Sequence, residues 1–320
     1  MAIDAACRRE GRNALGALDR IVWKLDEGEL VFLDGATGTE LTRRGADTTP
    51  PLWSARALID APATVRDVHA DYIRAGAEVL VANTFRTASL TLNRAGFGNL
   101  ADELPDRAVA LLLEAIERED AADRVVPAGC LSPLADRIHP ELAPPEAELA
   151  AEHEAHAVRQ ALAGAELIAC ETMSLVREAV VALRAAKAAG LPAFVSFAAA
   201  DTRHLLSGET LDTAVRAVEP LEPLAIGLNC CSMEVIDGAL PILLALTKRP
   251  VCVYPHFGVP NESDGWTADS EVSPERFAER AEGWRNIGAR MIGGCCGSTP
   301  AHIVALRNRL LGSGGEEKGA

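Results

Sequence analysis

The chain has 320 residues, 48% hydrophobic but only 4% aromatic. That is apolar material for a large core of helices on a buried sheet, and it argues against an antiparallel sandwich. Asp and Glu number 46 against 31 Lys and Arg, a formal charge of -15 without any basic run, so nucleic acid and anionic membrane surfaces are excluded as partners.

In chain order, residues 1–29 read as a charged helical lead-in, with Leu15, Leu18, Ile21 and Val22 at near-helical spacing. This segment has no apolar h-region, so it is not a secretory signal. No apolar run reaches the roughly 18 residues that would suggest a membrane span. A cytoplasmic chain is expected, and its eight cysteines then stand in a reducing compartment. Clustered cysteines there serve more often as metal ligands or catalytic groups than as disulfides.

From residue 30 onward, short apolar runs alternate with Ala-rich amphipathic stretches. The runs are LVFLD (30–34), EVLVANT (78–84), RVVPAGC (124–130), ELIACE (166–171), AFVSF (193–197), LAIGLNC (224–230), PVCVY (250–254) and RMIGG (290–294). Strands alternating with helices such as VREAVVALRAAKAAG form parallel βαβ units. Eight of them predict a single (β/α)8 TIM barrel over residues 30–311, with an N-terminal helical extension and a Gly-rich disordered tail at 312–320. A doubly wound open sheet is the alternative, but this length would then call for a second domain. The motif DGATG (34–38) prompts a nucleotide-binding oxidoreductase, which the absence of G-x-G-x-x-G after a strand rejects.

Polar and reactive residues collect where the runs stop: Asp34, Asn83-Thr84, Glu171, Ser196, Asn229-Cys230 and Gly293-Gly294-Cys295-Cys296. In a barrel these positions share the face on which active sites are built. Adjacent residues of a regular strand point to opposite faces, so Cys295 and Cys296 can reach one point only if the chain turns, as Gly293, Gly294 and Gly297 permit. Ser298 or Thr299 can then cap the last helix, with Pro300 at its first position.

Cys230 is the third candidate. Alternation puts it on one face with Leu224, Ile226 and Leu228, filling the barrel interior, and turns Cys231 the other way. Three sulfur ligands with one open position describe a catalytic zinc, and no C-x2-C knuckle of a structural site is present. The competing reading is a set of ordinary buried thiols, which is preferred for Cys7, Cys170, Cys231 and Cys252 and left open for Cys130. A metal with three thiolates activates a substrate thiol better than it polarises a carbonyl. The reaction that follows is thiolate attack on an electrophilic methyl carbon.

Six segments carry a family resemblance: FLDGATGTEL (32–41), LWSARAL (52–58), HADYIRAGAEVLVANTF (69–85), ELIACETM (166–173), GLNCCS (227–232) and GGCCGSTP (293–300). Together they resemble the homocysteine S-methyltransferase family, over about residues 30–311. The resemblance implies a (β/α)8 barrel, Zn2+ on Cys230, Cys295 and Cys296, and Glu171 and Asp34 near the amino group of homocysteine. An α-ammonium group does need anionic acceptors. Asp34 could otherwise be a turn residue before Gly35, and Glu171 an acid at a helix N-terminus. Gly35, Asn83, Thr84, Ser196 and Asn229 are further substrate-binding candidates, although the polar ones could simply pin strand-end loops.

The implied partners are homocysteine and a small methyl donor, with homo-oligomers left open. Nearly all 320 residues go into the barrel, so no fused folate or cobalamin domain is expected, and the donor should be a free onium compound. Sulfonium releases methyl more readily than quaternary ammonium. Trp53, Phe85, Tyr254 and Phe257 are too few for a full ammonium cage. The ranking is S-methylmethionine, then S-adenosylmethionine, then betaine. Two departures touch the donor pocket: YPHFG in place of the family's Y-P-N-x-G, bringing His256 and Phe257, and Cys130 in GCLSP. The alternatives are a methyltransferase for another small thiol or selenol, and a non-catalytic zinc- or thiol-binding barrel.

Overall fold

The computed structural model describes residues 15–135, 138–261, 265–268 and 272–312. Most of the expected lead-in (1–14, with Cys7) and nearly all of the expected tail (313–320) lie outside the described residues.

Eight parallel strands form one sheet: β1 (Val31–Phe32), β2 (Val79–Val81), β3 (Val126–Leu131), β4 (Leu167–Met173), β5 (Ala193–Phe197), β6 (Ile226–Asn229), β7 (Val251–Tyr254) and β10 (Ala289–Ile292). All eight expected runs are strands. Between β7 and β10 the chain adds an antiparallel hairpin, β8 (Gly258–Asn261) and β9 (Gly265–Ala268), that the apolar pattern did not announce. The sheet order is β1-β10-β7-β6-β5-β4-β3-β2, and its two ends meet. Leu33 bridges Val79 in the parallel sense, Glu78 N donates to Phe32 O at 2.8 Å, and Asp34 N donates to Val79 O at 3.1 Å. The result is a (β/α)8 barrel.

A first helix, α1 (Ala17–Asp26), precedes the barrel. Among the described residues, eight longer helices follow the strands, besides shorter ones at Gly38–Arg43, Ala57–Asp60 and Ser89–Arg94: α2 (Pro62–Ala75), α3 (Glu103–Arg118), α4 (Glu146–Leu162), α5 (Val176–Ala188), α6 (Leu211–Val218), α7 (Met233–Leu246), α8 (Pro274–Ile287) and α9 (Pro300–Leu311). Four of these helices start on a capping side chain. Thr210, Ser232 and Ser273 accept the N–H three residues on, and Thr299 forms a reciprocal capping box with His302, with Pro300 at the first helical position. Among the described residues, no helix is long and apolar enough to cross a membrane.

The core has two layers. Val31, Leu33, Val79, Ala128, Leu167, Phe194 and Met291 fill the barrel, and Ala17, Ile21 and Leu25 of α1 join them, closing the end opposite the strand C-termini. Phe32, Leu80, Ile168, Val195, Ile226, Leu228, Val253 and Ile292 pack outward against the helices. This corrects the face assigned to the sixth run. Ile226 and Leu228 look outward, and the inward place between them belongs to Gly227, where a Cβ would meet Cys252 Sγ at 2.2 Å.

His69 on α2 is fully buried, and neither ring nitrogen has a hydrogen-bond partner among the described residues. Burial pushes its pKa down to about 4, and does the same to His156 on α4. An ordinary imidazole titrates near 6.5. Between those values the unfolded chain takes up a proton that the folded chain refuses. Stability is therefore full above about pH 6.5 and falls as the pH drops toward 4, with about 2 kcal/mol per histidine lost at pH 5. His69→Leu should lose about 2 kcal/mol less than wild type between pH 7.5 and pH 5 in urea unfolding. Identical pH dependence in the two proteins would refute the assignment.

Candidate active site

At the C-terminal mouth of the barrel, the Sγ atoms of Cys230, Cys295 and Cys296 lie within 4.8 Å of one another. Cys230 follows β6, whose last residue, Asn229, points into the barrel, so regular alternation would turn Cys230 outward. The chain breaks the alternation: Cys230 has φ of 50°, in the left-handed region. That twist swings its thiol to the mouth and leaves Cys231 buried in the outer layer. The separation of the two cysteines comes from one backbone residue, not from the strand pleat.

Cys295 and Cys296 follow β10 on a loop held from three sides. Gly294 N donates to Asp34 O at 3.0 Å, Cys295 N to Pro255 O at 2.8 Å, and Phe257 N to Cys296 O at 2.7 Å. Gly297 has φ of 86°, and a Cβ there would lie 2.0 Å from Phe257 O. Only glycine fits. Hydrogen bonds to Cys230 and Cys296, then burial, hold the Cys295 thiol well above its usual range. Three crowded sulfurs therefore resist ionising together unless a cation joins them. Sulfurs around tetrahedral zinc stand roughly 3.8 Å apart, from Zn–S bonds of about 2.3 Å, so both the spacing and the donor set fit a thiophilic metal ion.

Two carboxylates flank the thiols. Asp34 is buried beyond β1, and its Oδ2 accepts Val81 N at 2.9 Å, a tie across to β2 that a simple turn residue would not make. Burial raises its pKa well above the carboxylate range, and the charge of Glu171 raises it further. Glu171 lies inside β4, at an irregularity between Cys170 and Met173 where Thr172 has φ of 61°. Helix α5 begins only at Val176 with Leu175 as its cap, so Glu171 is not a helix N-terminal acid. Its pKa is pushed up to about 7, chiefly by burial. A hydrogen bond from Cys130 Sγ at 3.2 Å opposes that shift, the charge of Cys230 adds to it, and a hydrogen bond from Tyr254 opposes it again. Among the described residues, no lysine or arginine is among the groups acting on either carboxylate. The pair is suited to a cation brought by a ligand.

The other expected site residues divide into two groups. Asn229 and Ser196 converge beneath Glu171. Asn229 Oδ1 accepts Thr172 N and Ser196 Oγ, each at 2.8 Å, and its Nδ2 donates to Thr172 Oγ1 at 2.8 Å. Ser196 is also hydrogen-bonded to Tyr254 OH. This network locks the irregularity that aims Glu171 and ties it to the strand that carries Cys230. Asn83, Thr84 and Gly35 make contacts to loops and packing partners. Asn83 Nδ2 donates to Ser54 O at 2.8 Å, and Thr84 Oγ1 donates to Gln160 Oε1 at 2.7 Å. A Cβ on Gly35 would lie 2.7 Å from Tyr72 OH.

Of the four mouth aromatics, Tyr254 joins the side-chain network around Glu171. Arg86 stands over one face of Trp53 at 5.9 Å and of Phe85 at 5.6 Å, and Phe257 packs on Phe277 and His302. Thr172 and Gln160 were missed from sequence. The signal for Gln160 was there: His153, His156 and Gln160 recur at helical spacing on the buried face of α4.

A family model described as Homocysteine S-methyltransferase matches residues 31–310. Homocysteine S-methyltransferase of Escherichia coli (strain K12) is 34% identical over 310 residues, covering 89% of this chain and 96% of that protein. Selenocysteine Se-methyltransferase of Brassica oleracea var. italica is 28% identical over 313 residues, covering 89% and 90%. The crystal structure of the homocysteine methyltransferase MmuM from Escherichia coli, in its metallated form, superposes with a TM-score of 0.77 at 30% identity, covering 89% of this chain and 98% of that one.

Proposed function

The chain belongs to the homocysteine S-methyltransferase family and is a methyltransferase, and we propose that it moves a methyl group from a small sulfonium donor to the sulfur of homocysteine. The observation that carries this reading is the triad of Cys230, Cys295 and Cys296 beside two buried carboxylates, Asp34 and Glu171, that have no ion pair among the described residues. The metallated form of MmuM supports a metal at such a site. Three thiols as the donor set favour Zn2+, with Cys230, Cys295 and Cys296 holding it. Zinc bound there would keep a substrate thiol deprotonated near neutral pH while leaving its sulfur electron-rich.

The remaining work falls to the chain itself. Asp34 and Glu171 receive the α-ammonium group of homocysteine, so that its thiol is presented at the cysteine triad. Asn229 and Ser196 keep Glu171 in place during that contact. The sulfur then attacks the donor methyl, the donor's S–CH3 bond breaks, and its electron pair stays on the departing thioether. With S-methylmethionine, one homocysteine and one donor give two methionines and a proton. Among the described residues, Arg86 covers a face of both Trp53 and Phe85, and Phe257 packs on Phe277 and His302, which favours a sulfonium over betaine. S-adenosylmethionine ranks second.

A competition assay with homocysteine and equal concentrations of S-methylmethionine, S-adenosylmethionine and betaine should show methionine formed fastest from the first. Preferential transfer from betaine would overturn the donor assignment. The likeness to a selenocysteine Se-methyltransferase supports a second reading, in which selenols are also acceptors. The same assay run with selenocysteine tests it.

A further inference from the structure

The buried groups that this reaction leaves unexplained gather behind Glu171. Cys130 is fully buried near the end of β3, and its thiol lies 3.2 Å from Glu171 Oε1. Burial and the adjacent carboxylate raise this thiol well above its usual range, so it stays protonated and acts as a donor.

Its reach depends on how the Cys130 backbone is held. Pairing between β2 and β3 stops at Val81 and Ala128, so on that side Cys130 has no strand partner. Gln160, fully buried on α4, takes the partner's place. Its Oε1 accepts Cys130 N at 2.8 Å, and its Nε2 donates to Cys130 O at 3.0 Å. Thr84 Oγ1 accepts the same N–H at 2.9 Å. Gly129 makes room for the amide, because a Cβ there would lie 2.3 Å from Gln160 Oε1. A fully satisfied buried network of this kind fixes one arrangement. An S–H group is a weak donor, so it can orient the carboxylate while leaving most of its charge for a ligand.

We infer that Cys130, clamped by Gln160, is a positioning residue that makes the site select thiols bearing an α-ammonium group, by fixing the Glu171 carboxylate that receives it. The inference rests on the homocysteine reading above.

The test compares homocysteine with 4-mercaptobutanoate, the same thiol without its amino group. Steady-state constants and calorimetric affinities are measured for wild type, Cys130→Ala and Cys130→Ser. Cys130→Ala should lower kcat/KM for homocysteine about tenfold, mainly through KM, and lower it less than about twofold for the analogue. Cys130→Ser, which keeps a donor, should fall between alanine and wild type. Equal losses on the two thiols, or a serine variant no better than alanine, would overturn the role of Cys130 while the homocysteine reading stands. Wild-type protein that fails to distinguish the two thiols would bring down both.

Discussion

Cys230→Ala should abolish metal binding and methyl transfer together, while Cys231→Ala keeps both close to wild type. The two residues are neighbours, but only Cys230 is rotated to the mouth by its left-handed backbone, and Cys231 packs among apolar side chains. Loss of one of three sulfur ligands should lower turnover by roughly three orders of magnitude, about 4 kcal/mol of transition-state stabilisation. The barrel should still fold, because its stability comes from the two apolar layers and not from the mouth. Elemental analysis should find one zinc per wild-type chain and almost none in the variant, with far-UV circular dichroism unchanged. Equal damage from the two substitutions would mean that the assignment of ligands is wrong.

Glu171→Gln should raise the dissociation constant for homocysteine by about 10- to 100-fold, because a charge-assisted hydrogen bond is worth about 1.5–3 kcal/mol. The isosteric amide keeps the shape and one acceptor oxygen but carries no charge to pair with an ammonium group. Zinc content should stay at one per chain, since Glu171 is not part of the sulfur cluster. Calorimetric titration with homocysteine, with metal analysis of the same samples, checks both halves. A variant that loses its zinc but retains homocysteine affinity would place Glu171 on the metal and not on the substrate.

The features legible in the sequence were those set by local pattern. Eight apolar runs became eight strands because β-branched and aliphatic residues between turn signals specify buried parallel strands without any long-range information. Glycines around Cys295-Cys296 marked a turn because no other residue fits that backbone. Features that hang on a single unusual dihedral were not legible. Alternation gave the inward face of β6 to Ile226 and Leu228, whereas Gly227 and Asn229 hold it, and Cys230 escapes the pleat through its own φ. Glu171 read as the end of a run, yet it sits within β4, where the strand loses register. The hairpin strands read GVPN and GWTA, with glycine and proline breaking up their few apolar residues, so no run betrayed them. The clamp of Gln160 on Cys130 joins residues 30 apart in sequence through side-chain geometry that only the closed barrel creates.

Among the described residues, the non-glycine positions with positive φ are Trp53, Asp120, Thr172, Glu222 and Cys230. Asp120 and Glu222 sit in helix-to-strand loops, on the side of the barrel away from the chemistry, while Trp53, Thr172 and Cys230 ring the mouth. A side-chain-bearing residue costs about 1–2 kcal/mol in that conformation, and glycine does not. If Cys230 holds the metal as proposed, the backbone and the reaction want different residues there. Cys230→Gly would relieve that backbone strain, but it would also give up a buried side chain and loosen the unfolded chain, so the two effects offset each other in the barrel.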